Sequence, residues 1–285
     1  MRIGVTGASG FIGRHLLNAL QKLPGVTVSP LYRKNKKSSP TLDELKSFVQ
    51  GKDLIYHLAG VNRGTNEEIL RGNILATLHL LVALKTHGSP DTRLVFASSS
   101  QVYNLSGVTG GIKESRAAEP ESVYGIAKKT AEDLIRISGF GHAILRLTNV
   151  YGPGCRPDYN SVIATFCHRV IGQKPLIVNG DGSQGRDFIY IDDVIRALVL
   201  AGGGKEFPQR AVYNISSGRS VSLNQVIETI KACGEKIAVE YQESGDSADD
   251  SYWCDPSRFY NDTGWKPTVS LENGIKNTLR GFKQG

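Results

Sequence analysis

A tyrosine and a lysine stand four residues apart in the run Val123-Tyr124-Gly125-Ile126-Ala127-Lys128. On a helix this spacing puts both side chains on one face. A phenol titrating near ~10 is a poor base at neutral pH, and a neighbouring ammonium lowers that value by favouring phenolate. Tyr124 is therefore a candidate acid/base and Lys128 its electrostatic partner, also placed to hold the ribose of a nicotinamide. Upstream, Phe96-Ala97-Ser98-Ser99-Ser100-Gln101-Val102-Tyr103 closes an apolar run with three hydroxyls. A hydroxyl there can hydrogen-bond a substrate oxygen while Tyr124 transfers its proton. The third group is Thr6-Gly7-Ala8-Ser9-Gly10-Phe11-Ile12-Gly13, between a strand and a helix. Gly7 permits a tight turn, Gly10 lets the backbone approach a pyrophosphate, and Gly13 lets the helix pack closely on the strand. The phosphates then rest on helix N–H groups. Gly7, Gly10, Phe11, Ile12 and Gly13 are thus candidate dinucleotide contacts. A lone Tyr-x-x-x-Lys or glycine triplet says little; their order along the chain gives them weight.

These groups need a scaffold, and the chain predicts one. Apolar runs at 2–7, 26–32, 53–60, 93–99 and 142–147 alternate with amphipathic segments near 11–22, 41–50, 66–87 and 121–138. Such alternation gives an α/β fold, a doubly wound parallel sheet of the Rossmann kind with helices on both faces. Runs of Val, Ile and Leu suit strands buried on both sides. After Val150 the rhythm changes. A helix is expected at 160–171, a strand at 176–178, a loop at 180–187, a strand at 188–192, a helix to about 201 and a strand at 211–216. The remainder carries a helix at 222–233, a strand at 236–241 and helices at 256–263 and 271–282. Residues 1–150 are read as an NAD(P)-binding domain to which 188–216 returns. Residues 151–187 and 217–285 are read as a smaller mixed α/β lobe for substrate.

The 285 residues carry a formal charge of +7, scattered except for Arg33-Lys34-Asn35-Lys36-Lys37. No helix-turn-helix, zinc or RNA-binding pattern accompanies it, and a cleft for a dinucleotide and a diphosphate explains the sign, so no nucleic acid is expected. Cys155, Cys167, Cys233 and Cys254 form no Cys-x-x-Cys pair and no metal spacing. They read as reduced thiols of a cytoplasmic protein without a metal. No run of about 18 apolar residues occurs, so no membrane span is expected. The first residues read as a strand, not a targeting segment. At the end of the second strand an NAD-selective site would carry an acid for the ribose 2′-OH. Here stand Leu31-Tyr32-Arg33-Lys34. Missing acid and present cations predict NADP, with Arg33 the main 2′-phosphate contact and NAD as the alternative.

The segments 6–13, 53–60, 96–103, 123–129, 146–153, 180–194, 213–223 and 264–275, with Asn73, resemble the extended short-chain dehydrogenase/reductases over nearly the whole chain. The similarity is to their nucleotide-sugar epimerase/dehydratase/reductase group. In that group the catalytic hydroxyl lies four residues before the Tyr of the strand-four motif, here Tyr103, which implies Ser99. The resemblance further implies Tyr124 as acid/base with Lys128, Leu58 and Ala59 lining the dinucleotide, and Asn73 supporting the site. It implies Asn149 and Arg186 at the diphosphate, Ser161 and Val162 flanking the base with Asn179 near it, and Tyr252 at sugar or phosphate. A UDP-hexose is the implied substrate and a homodimer through 66–87 and 121–138 the implied assembly. Two positions depart. Asn179 stands where an aromatic residue often stacks the base. The segment 243–251 has Glu243 and no arginine where a second phosphate contact is common.

Sugar 4,6-dehydratases of the group carry Thr-Asp-Glu where this chain has Ser99-Ser100-Gln101, so dehydration is not expected. Two reactions remain. Residues 57–63 and 156–169 resemble capsular-polysaccharide reductases that use NADPH on 4-keto-6-deoxy sugars. Residues 180–194 and 251–258 look more like sugar epimerases. Reduction is the preferred reading, and NAD-dependent 4-epimerisation, as in UDP-glucose 4-epimerases, is the alternative. A non-catalytic NADP sensor is the alternative of another class; such relatives usually lose the Tyr-x-x-x-Lys that is present here.

Overall fold

The computed structural model describes residues 1–32, 40–108, 110–157, 159, 161–203, 208, 210–243 and 251–284. In chain order its first elements are β1 (Arg2–Thr6), α1 (Phe11–Leu20), β2 (Thr27–Leu31), α2 (Leu42–Val49), β3 (Leu54–His57), α3 (Asn66–Leu70), α4 (Ala76–His87) and β4 (Arg93–Ser99). Then come β5 (Gly110–Ile112), α5 (Val123–Ile137), β6 (His142–Leu147), β7 (Asn149–Tyr151), α6 (Val162–Ile171), β8 (Leu176–Asn179), β9 (Gly185–Arg186) and β10 (Phe188–Tyr190). The last are α7 (Ile191–Ala201), β11 (Ala211–Ile215), β12 (Val221–Ser222), α8 (Leu223–Ala232), β13 (Val239–Gln242), β14 (Tyr252–Cys254), α9 (Ser257–Thr263) and α10 (Leu271–Gln284). They divide into two units. Unit 1 comprises Met1–Asn104, Ala117–Arg146 and Ile195–Tyr213; unit 2 comprises Leu105–Arg116, Leu147–Val194 and Asn214–Gly285.

Unit 1 is built on a six-stranded sheet in the order β11-β6-β4-β3-β1-β2. β1 pairs in parallel with β2 on one side and β3 on the other, and β3 pairs in parallel with β4. The chain thus reverses its direction of travel across the sheet between β1 and β3, the switch point at which such sheets hold ligands. The strands are apolar because both faces are covered: Ile3, Val5, Ile55 and Val95 have no exposed surface. Leu16, Leu17 and Leu20 of α1 bury the inward stripe of that helix. Elsewhere Leu45 and Phe48 of α2, Leu80 and Leu84 of α4 and Ala131 and Ile135 of α5 pack with Phe96 and Ile144 in one core. Capping boxes start two helices: Thr41 with Glu44 opens α2, and Thr65 with Glu68 opens α3.

The expected helix at 66–87 is not regular. Arg71–Leu75 wind as a π-helical turn between α3 and α4, a distortion that often accompanies function. The whole stretch Asn66–His87 is long and apolar enough, by length and composition, to cross a membrane. No apolar run announced it, because Asn73, Thr77 and His79 interrupt the apolar residues while the average stays high. In unit 1 the stretch packs against α2 and α5 and buries Asn73 and Thr77.

Unit 2 is made of four two-stranded pieces, β7 with β10, β9 with β12, β8 with β13 and β5 with β14. Of these, β5, β7, β12 and β14 have two or three residues each, too short for a period to show in sequence, and β9 falls inside the expected loop 180–187. Phe259 and Trp265 meet edge to face, with ring centroids 5.4 Å apart. The Trp265 indole donates to the carbonyl of Asp193, 3.1 Å. The Asp193 carboxylate in turn accepts from Thr268 and from the backbone N–H of Val269.

One ion pair lies in the core of unit 1. Arg146, 6% exposed, donates from Nε and Nη2 to the two oxygens of Glu132, 1% exposed, at 3.0 and 2.7 Å. Removing one partner of such a pair strands the other, at a cost of ~3–5 kcal/mol, whereas an apolar replacement of both is far milder. Glu132→Ala is therefore expected to lower the urea-unfolding free energy by ~3–5 kcal/mol. The double variant E132A/R146M should recover most of it. A double variant no more stable than E132A would contradict this account.

Candidate active site

The glycine loop of unit 1 is shaped by what side chains would collide with. Gly7 has φ +69°, and a Cβ on it would lie 2.6 Å from the backbone nitrogen of Ala59. A Cβ on Gly13 would lie 2.2 Å from the Gly7 carbonyl oxygen. Gly10 precedes α1 and donates its N–H to that same oxygen, 2.9 Å. No side chain caps the N-terminus of α1 and its first turn holds no acid. The amide donors there remain available to an anion, so the cradle fits a dinucleotide pyrophosphate. Phe11 and Ile12, half-buried, form the first turn. Leu58 and Ala59 lie against the loop: Leu58 donates to the Thr6 carbonyl, 3.3 Å, and Ala59 to Thr6 Oγ1, 3.2 Å. Arg33 lies outside the described residues; Tyr32, just before it, is exposed.

Tyr124 and Lys128 occupy successive turns of α5, which Ser122 caps by accepting from Gly125 N–H, 3.0 Å. The Lys128 ammonium lies 5.8 Å from the Tyr124 ring centroid and donates to the Ala97 carbonyl, 2.8 Å. Burial lowers its pKa to about 8, against the opposing pull of Glu132. Ser99 ends β4, two residues beyond Ala97. Its oxygen accepts from Gln101 N–H, 3.2 Å, which leaves its own hydrogen for donation. Ser98 faces elsewhere: its hydroxyl donates to Glu132, 2.5 Å. The strand pleat thus separates the two serines, one toward the core pair and one at the strand end. Glu132 continues the four-residue spacing of Tyr124 and Lys128. That spacing could have revealed it in sequence. Arg146 and Tyr103, which accepts a hydrogen bond from Arg146 Nη1, 2.8 Å, gave no such signal.

Beneath these residues sits His57, 1% exposed. One ring nitrogen meets Thr6 Oγ1 at 2.8 Å and the other Thr77 Oγ1 at 2.9 Å. Thr77 donates to the carbonyl of Asn73 in the π turn, 2.7 Å. The ring stacks on Phe96, 5.4 Å between centroids. His57 thus ties the glycine loop to the π turn. Asn73 donates from Nδ2 to the carbonyls of Val61 and Ile69, while its buried Oδ1 has no hydrogen-bond partner among the described residues. A Cβ on Gly60 would lie 2.7 Å from that oxygen and 3.2 Å from Lys128 Nζ, so a side chain there would displace the Asn73 amide and crowd the lysine.

In unit 2, Asn149 opens β7 and donates its side-chain amide to the Asp187 carbonyl, 2.9 Å. The Arg186 guanidinium lies 5.4 Å from the Tyr252 ring centroid. Burial raises the Tyr252 pKa, and the same tyrosine hydrogen-bonds the Asn149 side chain. These three residues therefore form one group. Ser161 caps α6 and Val162 begins it. Asn179, exposed, ends β8 and accepts from Gln184 through its carbonyl.

Residues 3–216 match the family described as NAD dependent epimerase/dehydratase. A UDP-2-acetamido-2,6-beta-L-arabino-hexul-4-ose reductase of Pseudomonas aeruginosa is 34% identical over 210 residues, 72% of this chain; the match spans half of that relative's length. An uncharacterised UDP-glucose epimerase of Bacillus subtilis, YtcB, is 31% identical over 98% of this chain and 97% of its own. Among solved structures, the UDP-glucuronic acid 4-epimerase of Bacillus cereus, in complex with UDP-glucuronic acid and NAD, superposes with a TM-score of 0.89 at 29% identity. That match covers 100% of this chain and 99% of the other.

Burial drives the His57 imidazole down to about 3 from the ordinary 6.5, and the Lys128 charge adds to the effect. The unfolded chain then takes up a proton near pH 6.5 that the folded chain refuses. Stability from this group is present above that pH and is lost as pH falls from 6.5 toward 3, by ~1.4 kcal/mol per pH unit. Urea unfolding of wild type and H57Q between pH 7 and 5 should show the wild type losing stability relative to the variant. Parallel pH curves would contradict a buried neutral imidazole.

Proposed function

We infer the function of this chain from its membership of the NAD-dependent epimerase/dehydratase family, a family of enzymes. The chain is a nucleotide-sugar reductase or epimerase of the extended short-chain dehydrogenase/reductase type. Our finer reading is NADPH-dependent reduction of a 4-keto-6-deoxy UDP-hexose. One observation carries it: Leu31-Tyr32-Arg33-Lys34 offers cations and no acid where the ribose is read. The likeness to the Pseudomonas aeruginosa reductase supports it. The second reading is 4-epimerisation with retained NAD, favoured by the likeness to the Bacillus cereus enzyme.

In this reading Gly7, Gly10, Phe11, Ile12 and Gly13 hold the dinucleotide phosphates, Leu58 and Ala59 line the cofactor, and Arg33 meets the 2′-phosphate. When bound, the nicotinamide supplies or accepts the hydride. Tyr124 gives its phenolic proton to the C4 oxygen as that oxygen becomes an alcohol. Lys128, held by the Ala97 carbonyl, stabilises the phenolate left behind. Ser99 donates to the same C4 oxygen and orients it. Asn149, Arg186 and Tyr252 take the diphosphate and sugar, and Ser161, Val162 and Asn179 the base. Reduced cysteines fit a cytoplasmic setting. Leu70, Leu75, Leu78 and Val82 on the 66–87 stretch and Ile126 and Ile137 on α5 are partly exposed apolar side chains, which supports a homodimer through these helices.

Two measurements test the reading. Tyr124→Phe should lower kcat by ~10²–10⁴ with the fold intact, since proton transfer by a positioned group contributes about that factor; an unchanged kcat would favour the non-catalytic sensor. Titration with NADPH and with NADH should favour NADPH. Arg33→Ala should weaken NADPH by ~10–100-fold, a lost charge-assisted bond, and leave NADH unchanged. Tightly retained NAD or NADH in the purified protein would instead select the epimerase.

A further inference from the structure

We propose that Asp187 is the positioning residue of the nucleotide-sugar end, fixing Arg186 for a diphosphate by binding together the strands that carry Asn149 and Tyr252. The inference rests on the reading of Arg186 and Asn149 as diphosphate contacts.

Asp187 has no exposed surface. One carboxylate oxygen accepts from Ser217 N–H, 2.9 Å, Ser217 Oγ, 2.8 Å, and Thr148 Oγ1, 3.2 Å. The other accepts from Cys254 N–H, 3.2 Å. The Asp187 main-chain carbonyl accepts from both the backbone and the side-chain amide of Asn149, at 3.0 and 2.9 Å. One residue therefore reaches the start of β7, the turn after β11 and the end of β14. Of these contacts, Thr148 is next to Asn149 and Cys254 is two residues from Tyr252. Asp187 also follows Arg186 directly, so turning its side chain inward directs Arg186 to the other side of the chain, against the Tyr252 ring.

All four hydrogen bonds to the carboxylate come from neutral donors. A buried anion held this way is costly: burial pushes the Asp187 pKa up to about 6, against the pull of Ser217, Cys254 and Thr148. An ion pair would have been the simpler use of an aspartate beside an arginine. Instead the donors demand acceptor oxygens on both sides, which asparagine cannot provide. Its amide nitrogen would face either the Cys254 N–H or the Ser217 and Thr148 donors.

The test is calorimetric titration of the full chain with UDP and, separately, with NADPH, for wild type, D187N, T148V/S217A, R186M and R186M/D187N. D187N should raise the UDP Kd by ~10-fold or more and leave the NADPH Kd within ~2-fold. T148V/S217A removes two donors with the carboxylate in place; it should raise the UDP Kd by ~3–10-fold and serves if D187N does not fold. Because Asp187 acts through Arg186, R186M/D187N should bind UDP within ~3-fold of R186M alone, a non-additivity that a merely structural role would not produce. The proposal is overturned if R186M weakens UDP while folded D187N or T148V/S217A does not, or if the losses multiply. It is also overturned if UDP and NADPH weaken together. If R186M binds UDP like wild type, the underlying reading of Arg186 has failed instead.

Discussion

The carbonyl oxygen of Gly7 organises the glycine loop of unit 1 and the elements around it. It accepts the N–H of Gly10, and it sits where a Cβ of residue 13 would have to be. This close approach seats α1 on β1 and aims its uncapped N-terminal amides at the switch point of the sheet. It also brings the end of β3 against the loop, so that Ala59 donates to Thr6 and His57 meets the same threonine. From there the chain of contacts runs through Thr77 to the π turn and Asn73, and beside it Gly60 leaves room for Lys128. The cradle and the candidate catalytic residues of unit 1 thus share one backbone constraint. Glycine alone satisfies it, and no side-chain interaction could substitute.

Both units place buried polar groups behind the candidate site residues. In unit 1, Glu132 joins Arg146 and Ser98 and lies one turn beyond Lys128. In unit 2, Asp187 gathers donors from three separate segments, and Asp193 from the segment Thr268-Val269. The physical reason is common to both. Short strands and strand ends bury too little apolar surface to hold their own geometry, and directional hydrogen bonds to a carboxylate supply what packing cannot. Each network is costly if left incomplete, so each specifies one arrangement of its neighbours.

The doubly wound sheet was legible because buried parallel strands and amphipathic helices leave long, distinct periods. The five strands and four helical stretches expected up to residue 147 lie within a few residues of β1, β2, β3, β4 and β6 and of α1, α2, α3 to α4, and α5. The loop reading of 180–187 missed β9, and β5, β7, β12 and β14 carry two or three residues that no period can mark. The π turn at 71–75 was likewise invisible, since its residues fit a helical pattern and only the backbone register is unusual. Among the candidate residues, Ser99 was separable from Ser98 in structure by strand pleat, whereas sequence needed a resemblance to choose.

By itself the sequence determined the glycine loop, the Tyr124 and Lys128 spacing, the acid-free end of β2 and the α/β class, all features set within a turn or by a repeating period. Only the tertiary structure decided which hydroxyl faces the core, what holds Lys128, what a side chain at residue 60 would crowd, and how Asn149, Arg186 and Tyr252 come together. Those depend on contacts between segments as far apart as Asn149 and Tyr252, where pairing is chosen by shape and by the satisfaction of buried polar groups, and neither leaves a periodic trace along the chain.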